Sequence, residues 1–306
     1  MQTPNTGRKH QSLIILLSLV LCIILLISLE YFRPKPAEES LYAEAQMTEN
    51  LPEEALSKSN SPSPSPTPEA SLEVAVVEST FPDDPYPELY GDNPDQTFLP
   101  PEDKVVYLTF DDGPTTVTPK LLDVLLEEGV QATFFVVGKS PFKEEVLKRI
   151  YEENHTLGVH TMSHKYEEIY ATVDNFYRDF AEEYNTIWEA TGHRPRIFRF
   201  PGGSVNSYNS HLYHDLIWEM KRRGFVYYDW NVTSEDAVGV EDPYEQLQEL
   251  ITQSESKPRI IALLHDSETN PEIHTVVREY IHYMRQAGYR FEALDSNVAP
   301  IYFPLW

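Results

Sequence analysis

The sequence predicts an α/β fold with parallel strands, either a barrel or a doubly wound sheet, between about residues 105 and 294. Short runs of apolar and β-branched residues alternate there with segments whose apolar residues recur at helical spacing. Gly129, Gly224 and Gly288 each fall between a predicted helix and the next strand, where a C-terminal cap belongs. A strand–helix–strand repeat of this kind joins parallel neighbours.

The predicted elements follow in order along the chain. The first strand is the apolar run Val105–Phe110, and a helical face of leucines and a valine begins after Pro119. The further strands are predicted at residues 132–137, 156–159, 197–200, 225–232 and 259–264. The further helices are predicted around residues 146–150, 212–220, 247–251 and 273–284.

Residues 1–35 are predicted to be a short cytoplasmic tail and a transmembrane anchor. Arg8 and Lys9 precede an apolar run from Ser12 to Phe32, which carries no charge before Glu30 and is long enough to span about 30 Å of hydrocarbon. The run ends on bulky residues rather than the small residues of a signal-peptide cleavage site. We therefore expect an uncleaved single-pass anchor in the cell membrane, with the rest of the chain extracellular.

Residues 36–100 are predicted to be a disordered acidic linker. They hold 14 Asp and Glu against the single base Lys58, so that the segment repels itself and extends. The Ser/Pro repeat Ser61–Pro68 favours polyproline II conformations. The aromatic and proline-rich stretch Phe81–Tyr90 is expected to pack against the domain that follows, residues 101–306.

Composition excludes several classes of protein. The chain has 306 residues, a net charge of −25 and a pI near 4.7, which argues against nucleic acid as a partner because phosphate binding needs clustered Lys and Arg. The one cysteine excludes an intramolecular disulfide framework and a cysteine-based zinc finger.

Paired carboxylates end the first strand, where Phe110 is followed by Asp111-Asp112-Gly113-Pro114. Neighbouring side chains of a strand face opposite ways, so two adjacent carboxylates address one site only where the strand breaks. A cation would relieve the repulsion between the two carboxylates. A metal bound to one carboxylate would leave the other free to act as a base. The alternative is a simple turn capped by Asp.

Three histidines and an arginine follow other predicted strands. His160 and His164 stand four residues apart, and on one helical turn or in a tight loop both reach the same ion. Arg199 ends another strand and could hold a carboxylate by a bidentate pair. His265 lies at the tip of the apolar run Ile260–Leu264. Each feature alone has a structural explanation, but together they indicate a metal hydrolase.

This order of motifs resembles the polysaccharide deacetylases, carbohydrate esterase family four, which share the NodB homology domain. The resemblance covers Lys104 to Leu294 and implies a distorted (β/α) barrel of seven or eight strands. It implies that Asp111 is the catalytic base and His265 the general acid, and that Arg199 holds Asp111. It also implies the metal ligands Asp112, His160 and His164, and an acetyl pocket lined by Leu263.

Two departures from the family pattern concern the substrate site. Gly202 stands where the family usually has an aromatic residue, so an aromatic wall is expected to be lost, although the Gly202 N–H could still donate to an oxyanion. Thr233 stands where the family often has the Asp that tunes the acid histidine. Asp229 and Asp236 are both candidates to replace it. Ala237 also replaces a usual aromatic residue.

The resulting prediction is a metal-dependent hydrolase that removes N-acetyl groups from a cell-envelope polysaccharide, with peptidoglycan N-acetylglucosamine as first choice. Two histidines and a carboxylate suit Zn²⁺, with Co²⁺ or Mn²⁺ as alternatives. The rival hypotheses are an O-acetyl esterase, a non-catalytic glycan-binding domain on the same fold, and a domain in which a metal serves structure alone. Neither the sugar nor the oligomeric state is fixed by the sequence.

Overall fold

The computed structural model describes residues 84–90, 97–101, 103–138 and 143–304. The predicted anchor, residues 1–35, and the linker up to residue 83 lie outside the described residues. No helix within the described part of the chain combines the length and the apolar character that a bilayer span requires.

In the described part of the chain, eight parallel strands form one curled sheet in the order β5-β4-β3-β2-β1-β7-β6, with β8 beside the start of β1. The sheet is a curled half-barrel, which agrees with the predicted parallel α/β architecture and is consistent with the distorted barrel that the resemblance implied. Its strands are β1 (Val105–Asp111), β2 (Thr133–Val137), β3 (Thr156–Thr161), β4 (Ile197–Phe198), β5 (Val226–Tyr227), β6 (Val232–Thr233), β7 (Arg259–His265) and β8 (Arg290–Glu292).

Helices connect the strands and cover the outside of the sheet. They are α1 (Thr118–Glu128), α2 (Lys143–Glu152), α3 (Tyr166–Ile169), α4 (Val173–Thr191), α5 (Tyr213–Arg222), α6 (Pro243–Ser254) and α7 (Ile273–Gln286). Gly129 ends α1 in the left-handed conformation, with φ of 60°, and its N–H caps the carbonyls of the last turn, as the sequence predicts.

The structure corrects the sequence prediction at four elements. The single strand predicted over residues 225–232 is two strands, β5 and β6. β5 pairs with β4 and β6 with β7, and between them the Asp229 carboxylate accepts hydrogen bonds from the N–H and Oγ of Ser204 and the N–H of Phe303. The short helix α3, the 19-residue helix α4 and the strand β8 were not predicted.

The two-residue period of the strands decides which side chains face the inside of the half-barrel. On β1, Val106, Leu108 and Phe110 pack with the helices, whereas Val105 and Tyr107 belong to a separate inner cluster. Thr109 and Asp111 continue this inward series to the carboxyl end of the strand. The same alternation on β3, β4 and β7 turns polar residues inward at the same end.

The segment Asp84–Tyr90, which precedes the domain, packs against it as expected from its aromatic residues. Leu89 is fully buried in the main core. The Asp84 carboxylate lies 2.7 Å from Arg223 at the end of α5, and both side chains are almost fully buried. Loss of either partner would leave an uncompensated buried charge. This contact therefore fixes the point at which the chain joins the domain.

Candidate active site

Four polar side chains meet at the carboxyl ends of the parallel strands. Asp111 ends β1, His160 lies near the end of β3, Arg199 directly follows β4, and His265 ends β7. Asp111 and His265 are direct neighbours in the register of β1 and β7. The carboxyl ends of parallel strands are the usual place for a ligand site, and a cleft of about 480 Å³ opens there.

The turn after β1 brings both carboxylates to this cleft. Asp112 has a φ of 72°, the left-handed region that asparagine and aspartate tolerate better than other non-glycine residues. This conformation breaks the alternation of the strand, so that Asp111 and Asp112 both line the cleft. The two carboxylates therefore address one site at the point where the strand breaks, as the sequence predicts.

Arg199 holds Asp111 from inside the half-barrel. Its guanidinium is fully buried and lies 2.9 Å from the Asp111 carboxylate. It also donates to Thr109 Oγ1 at 2.7 Å and to the Tyr228 carbonyl at 2.8 Å, and it packs 4.4 Å from the Phe135 ring centroid. Burial raises the pKa of Asp111, while the charge and hydrogen bond of Arg199 oppose that rise.

His160 is fixed in the tautomer that a metal ligand needs. Its Nδ1 lies 2.8 Å from the backbone carbonyl of Arg199. A carbonyl only accepts, so Nδ1 carries the proton and Nε2 presents its lone pair to the cleft. Burial, together with the nearby His164, lowers the pKa of His160 to about 3, which keeps the ring neutral at physiological pH.

His164 reaches the same point from a tight loop and not from a helix. It has a φ of 53°, and its N–H donates to Thr161 Oγ1. The loop between the two histidines is held from the outside by Asp179 on α4. One oxygen of that carboxylate accepts the N–H groups of Met162 and Ser163, at 2.7 and 3.0 Å.

Asp112, His160 and His164 have the geometry of a metal site. Asp112 Oδ1 lies 3.2 Å from His164 Nε2 and 3.6 Å from His160 Nε2, and the three ligand atoms all lie within 4.8 Å of one another. Ligands at about 2.0–2.2 Å from one Zn²⁺ need separations of this size. Asp112 Oδ1 is buried without a hydrogen-bond partner among the described residues. A cation at this point would satisfy it.

Asp236 orients His265, which settles a choice that the sequence left open. One Asp236 oxygen lies 2.8 Å from His265 Nδ1, and the other accepts the His265 N–H. Burial alone would lower the pKa of His265, but the hydrogen bond and charge of Asp236 raise it to about 9. Asp229 instead accepts hydrogen bonds from the N–H and Oγ of Ser204.

The remaining predicted residues also lie on the cleft. Gly202 and Leu263 line it. The expected loss of an aromatic wall is wrong, because the ring of Tyr166 lies directly over Gly202 and Trp230 lines the cleft as well. A Cβ built on Gly202 would come within 2.8 Å of the Tyr166 ring. The tyrosine therefore occupies the volume that a side chain at position 202 would need.

Sequence reasoning missed three residues of this site: Tyr166, Asp179 and Asn270. Asn270 donates to Asp236 at 3.0 Å and is itself bonded to Gln246, so that it positions the partner of His265. Tyr166 stands two residues after the candidate metal ligand His164. This closeness in sequence was the one signal that could have placed Tyr166 near the site. Asp179 and Asn270 carry no signal, because their contacts exist only in the folded chain.

Comparisons with known proteins identify the family of this chain. The polysaccharide deacetylase family model matches residues 99–219. YheN of Bacillus subtilis, which carries the name of a polysaccharide deacetylase, is 34% identical over 228 residues, which cover 70% of this chain and 78% of that protein. A peptidoglycan-N-acetylglucosamine deacetylase of Bacillus cereus is 30% identical, over 64% of this chain and 71% of its own length.

A solved structure shows the same fold. The catalytic domain of peptidoglycan N-acetylglucosamine deacetylase from Eubacterium rectale superposes with a TM-score of 0.65 at 32% identity, covering 68% of this chain and 96% of that one. The chain belongs to the polysaccharide deacetylase family, the NodB domain of carbohydrate esterase family four. It is accordingly a hydrolase that acts on amide bonds, in a family of metalloenzymes.

Replacement of Asp179 should weaken metal binding. Asp179→Ala removes the acceptor for two N–H groups of the loop that carries His164. Loss of a group that orients metal ligands typically costs about 10- to 100-fold in metal affinity. Titration of the purified protein with Zn²⁺ against a competing chelator measures this change.

Two variants control this measurement. Asp179→Asn keeps one acceptor oxygen and should retain most of the affinity. Glu189→Ala alters an exposed carboxylate of the same helix and should leave the affinity unchanged. Wild-type affinity in the Asp179→Ala variant would contradict the positioning role.

Proposed function

We propose that this protein hydrolyses the N-acetyl groups of a cell-envelope polysaccharide, peptidoglycan N-acetylglucosamine foremost, with a divalent metal, Zn²⁺ or else Co²⁺ or Mn²⁺. One observation carries the proposal: the unsatisfied Asp112 oxygen faces two histidine nitrogens, with Asp111 and His265 on the same cleft. The relatives named as peptidoglycan-N-acetylglucosamine deacetylases support the choice of sugar.

The proposed metal ligands are Asp112, His160 and His164. Two neutral imidazoles and one carboxylate leave coordination positions open, as in catalytic zinc sites. A divalent metal held there would supply Lewis-acid polarisation of the acetamide carbonyl and would lower the pKa of water.

The proposed reaction begins at Asp111. Its carboxylate takes one proton from the attacking water as the water oxygen bonds to the carbonyl carbon. Arg199 holds this carboxylate in place at 2.9 Å and favours its ionised form. The carbonyl oxygen gains negative charge in this step, and the Gly202 N–H is the proposed donor to it. Leu263 lines the space for the acetyl methyl group.

His265 completes the reaction. When the C–N bond breaks, its electron pair stays on nitrogen, and protonated His265 supplies a proton because an unprotonated amide nitrogen is a poor leaving group. The products are the free amine of the sugar and acetic acid, which ionises. Asp111 then releases its proton and His265 regains one from solvent. A pKa of about 9 keeps His265 protonated at neutral pH.

Asp111→Asn and His265→Ala should each abolish most of the deacetylation. Loss of a general base or acid costs about 10²- to 10⁴-fold in rate. Acetate release from a panel of N-acetylated and O-acetylated glycans measures activity, and circular dichroism checks the fold. His282→Ala, which alters an exposed histidine on α7, is the matched control.

The outcomes separate the candidate functions. Acetate release from O-acetylated glycans alone would favour an O-acetyl esterase. One similar solved structure, from Streptococcus mutans, is named as an esterase of this family. Glycan binding without acetate release would favour a binding module. Wild-type rates in both variants would refute the roles given to Asp111 and His265.

Replacement of Asp236 should shift the pH profile. His265 acts as an acid only while protonated, that is, below its pKa, and the Asp236 charge raises that pKa. Asp236→Asn removes the charge, so the alkaline limb of kcat/KM should move to lower pH by about 1 to 3 units. Asp123→Asn, the same change at an exposed site on α1, should leave the profile in place. An unmoved alkaline limb in Asp236→Asn would exclude Asp236 as the tuning residue.

We also propose that residues 1–35 anchor the chain in the cell membrane and that the linker, residues 36–100, tethers an extracellular catalytic domain, residues 101–306, with its packed segment Asp84–Tyr90 as the point of attachment. The uncharged run before Glu30 and the acidic, proline-rich segment after it support this arrangement.

Cell fractionation tests the anchor. The full chain should sediment with membranes, resist extraction by high salt and dissolve in detergent, because about 20 apolar residues insert stably. A chain lacking residues 1–35 should stay in the soluble fraction. Equal distribution of the two chains between membrane and soluble fractions would contradict the anchor. If protease added outside spheroplasts leaves the domain intact, the extracellular orientation of the domain would be contradicted.

A further inference from the structure

Tyr166 places a hydroxyl group beside the proposed oxyanion donor. It is the first residue of α3, two residues after His164, and it lines the cleft together with Gly202. A Cβ built on Gly202 would lie 2.8 Å from Cε1 of this tyrosine and 3.2 Å from its hydroxyl oxygen. The phenol group therefore covers the backbone of Gly202, whose N–H is the proposed donor to the acetyl oxygen.

The Tyr166 ring is held in this position by other aromatic rings. His164 meets it edge-on, with centroids 5.2 Å apart and an interplanar angle of 83°. Tyr208 packs against it at 5.0 Å and Tyr170 at 6.2 Å. Aromatic packing of this kind fixes the direction of the ring, so the hydroxyl is held in place before any substrate binds.

The Tyr166 hydroxyl has no hydrogen-bond partner among the described residues. The hydroxyl of the nearby Tyr170, in contrast, donates to the Pro201 carbonyl at 2.8 Å. Tyr166 lines the open cleft, and a phenol is a hydrogen-bond donor at neutral pH. A ligand with an acceptor oxygen at this point would satisfy it.

We propose that the Tyr166 hydroxyl is a second hydrogen-bond donor to the acetyl oxygen of the substrate, acting beside the Gly202 N–H. The inference rests on the proposed function. The acetyl oxygen gains negative charge as water adds to the carbonyl carbon, so a fixed donor there binds the transition state more strongly than the ground state. Tyr166 is then a catalytic residue that the motif pattern does not mark.

The test is the Tyr166→Phe variant, which removes the hydroxyl and keeps the ring. Loss of one oxyanion donor costs about 10²- to 10³-fold in kcat in a water-excluded site. We expect a fall of about 10- to 100-fold here, since the cleft is open to solvent, with little change in KM. The assay follows acetate release from the glycan on which the wild type is most active.

Two further measurements separate this role from a structural one. Zn²⁺ affinity should be the same in the wild type and in Tyr166→Phe, because the ring that packs on His164 remains. Tyr208→Phe is the matched control, since it removes the hydroxyl of the neighbouring ring, which is 47% exposed and outside the lining of the cleft. Its kcat should equal that of the wild type.

Each other outcome overturns the inference. An unchanged kcat in Tyr166→Phe would show that the hydroxyl plays no part in the reaction. A higher KM with unchanged kcat would make it a contact to the bound substrate alone, and a parallel loss of Zn²⁺ affinity would make it a structural group. A wild-type protein that releases no acetate would refute the proposed function itself, and this inference with it.

Discussion

The site depends on one buried guanidinium, that of Arg199. A fully buried charge must be paired and hydrogen-bonded, because an isolated one costs several kcal/mol in desolvation. Arg199 meets this demand with the Asp111 carboxylate, the Thr109 hydroxyl and the Tyr228 carbonyl. Its own backbone carbonyl fixes the tautomer of His160. One residue thus determines the position of the proposed base and the orientation of a proposed metal ligand.

The proposed base and acid have opposite electrostatic environments. Asp111 lies against the cationic Arg199, which favours its ionised form. His265 lies against the anionic Asp236, which favours its protonated form. Asp236 is held in turn by Asn270 and Gln246. Burial acts against the charged form of both groups, so each needs its charged partner to stay in the state that hydrolysis requires.

The sequence predicted the residues that sit on strand ends, and the reason is geometric. A buried strand is recognisable from its apolar run, and whatever follows its last residue lies at the carboxyl edge of a parallel sheet. Asp111, His160, Arg199 and His265 were all found in this way. That Asp111 and Asp112 address one site could be inferred because Gly113 and Pro114 mark a broken strand, and the family resemblance implied which of the two is the metal ligand.

What the sequence did not predict depends on contacts between distant segments. From the sequence alone, Asp229 and Asp236 are equally good candidates for the partner of His265, because both lie in the same polar stretch. Only the fold shows that one faces His265 and the other the backbone of Ser204. The division of β5 from β6 likewise depends on distant pairing, since β5 pairs with β4 and β6 with β7. The helix α4 was missed although it supplies Asp179, which supports the histidine loop from outside.

Tyr166 compensates for the departure from the family pattern at Gly202. Read alone, a glycine at position 202 predicts a cleft without an aromatic wall. In the folded chain, the absent side chain creates the space that the Tyr166 ring fills, and the glycine φ of 75° suits a residue without Cβ. An alanine at position 202 would clash with that ring, and the ring would lose its support on the glycine backbone. The aromatic group of this cleft therefore comes from the segment after the metal ligands, so the wall and the proposed metal site are coupled through His164.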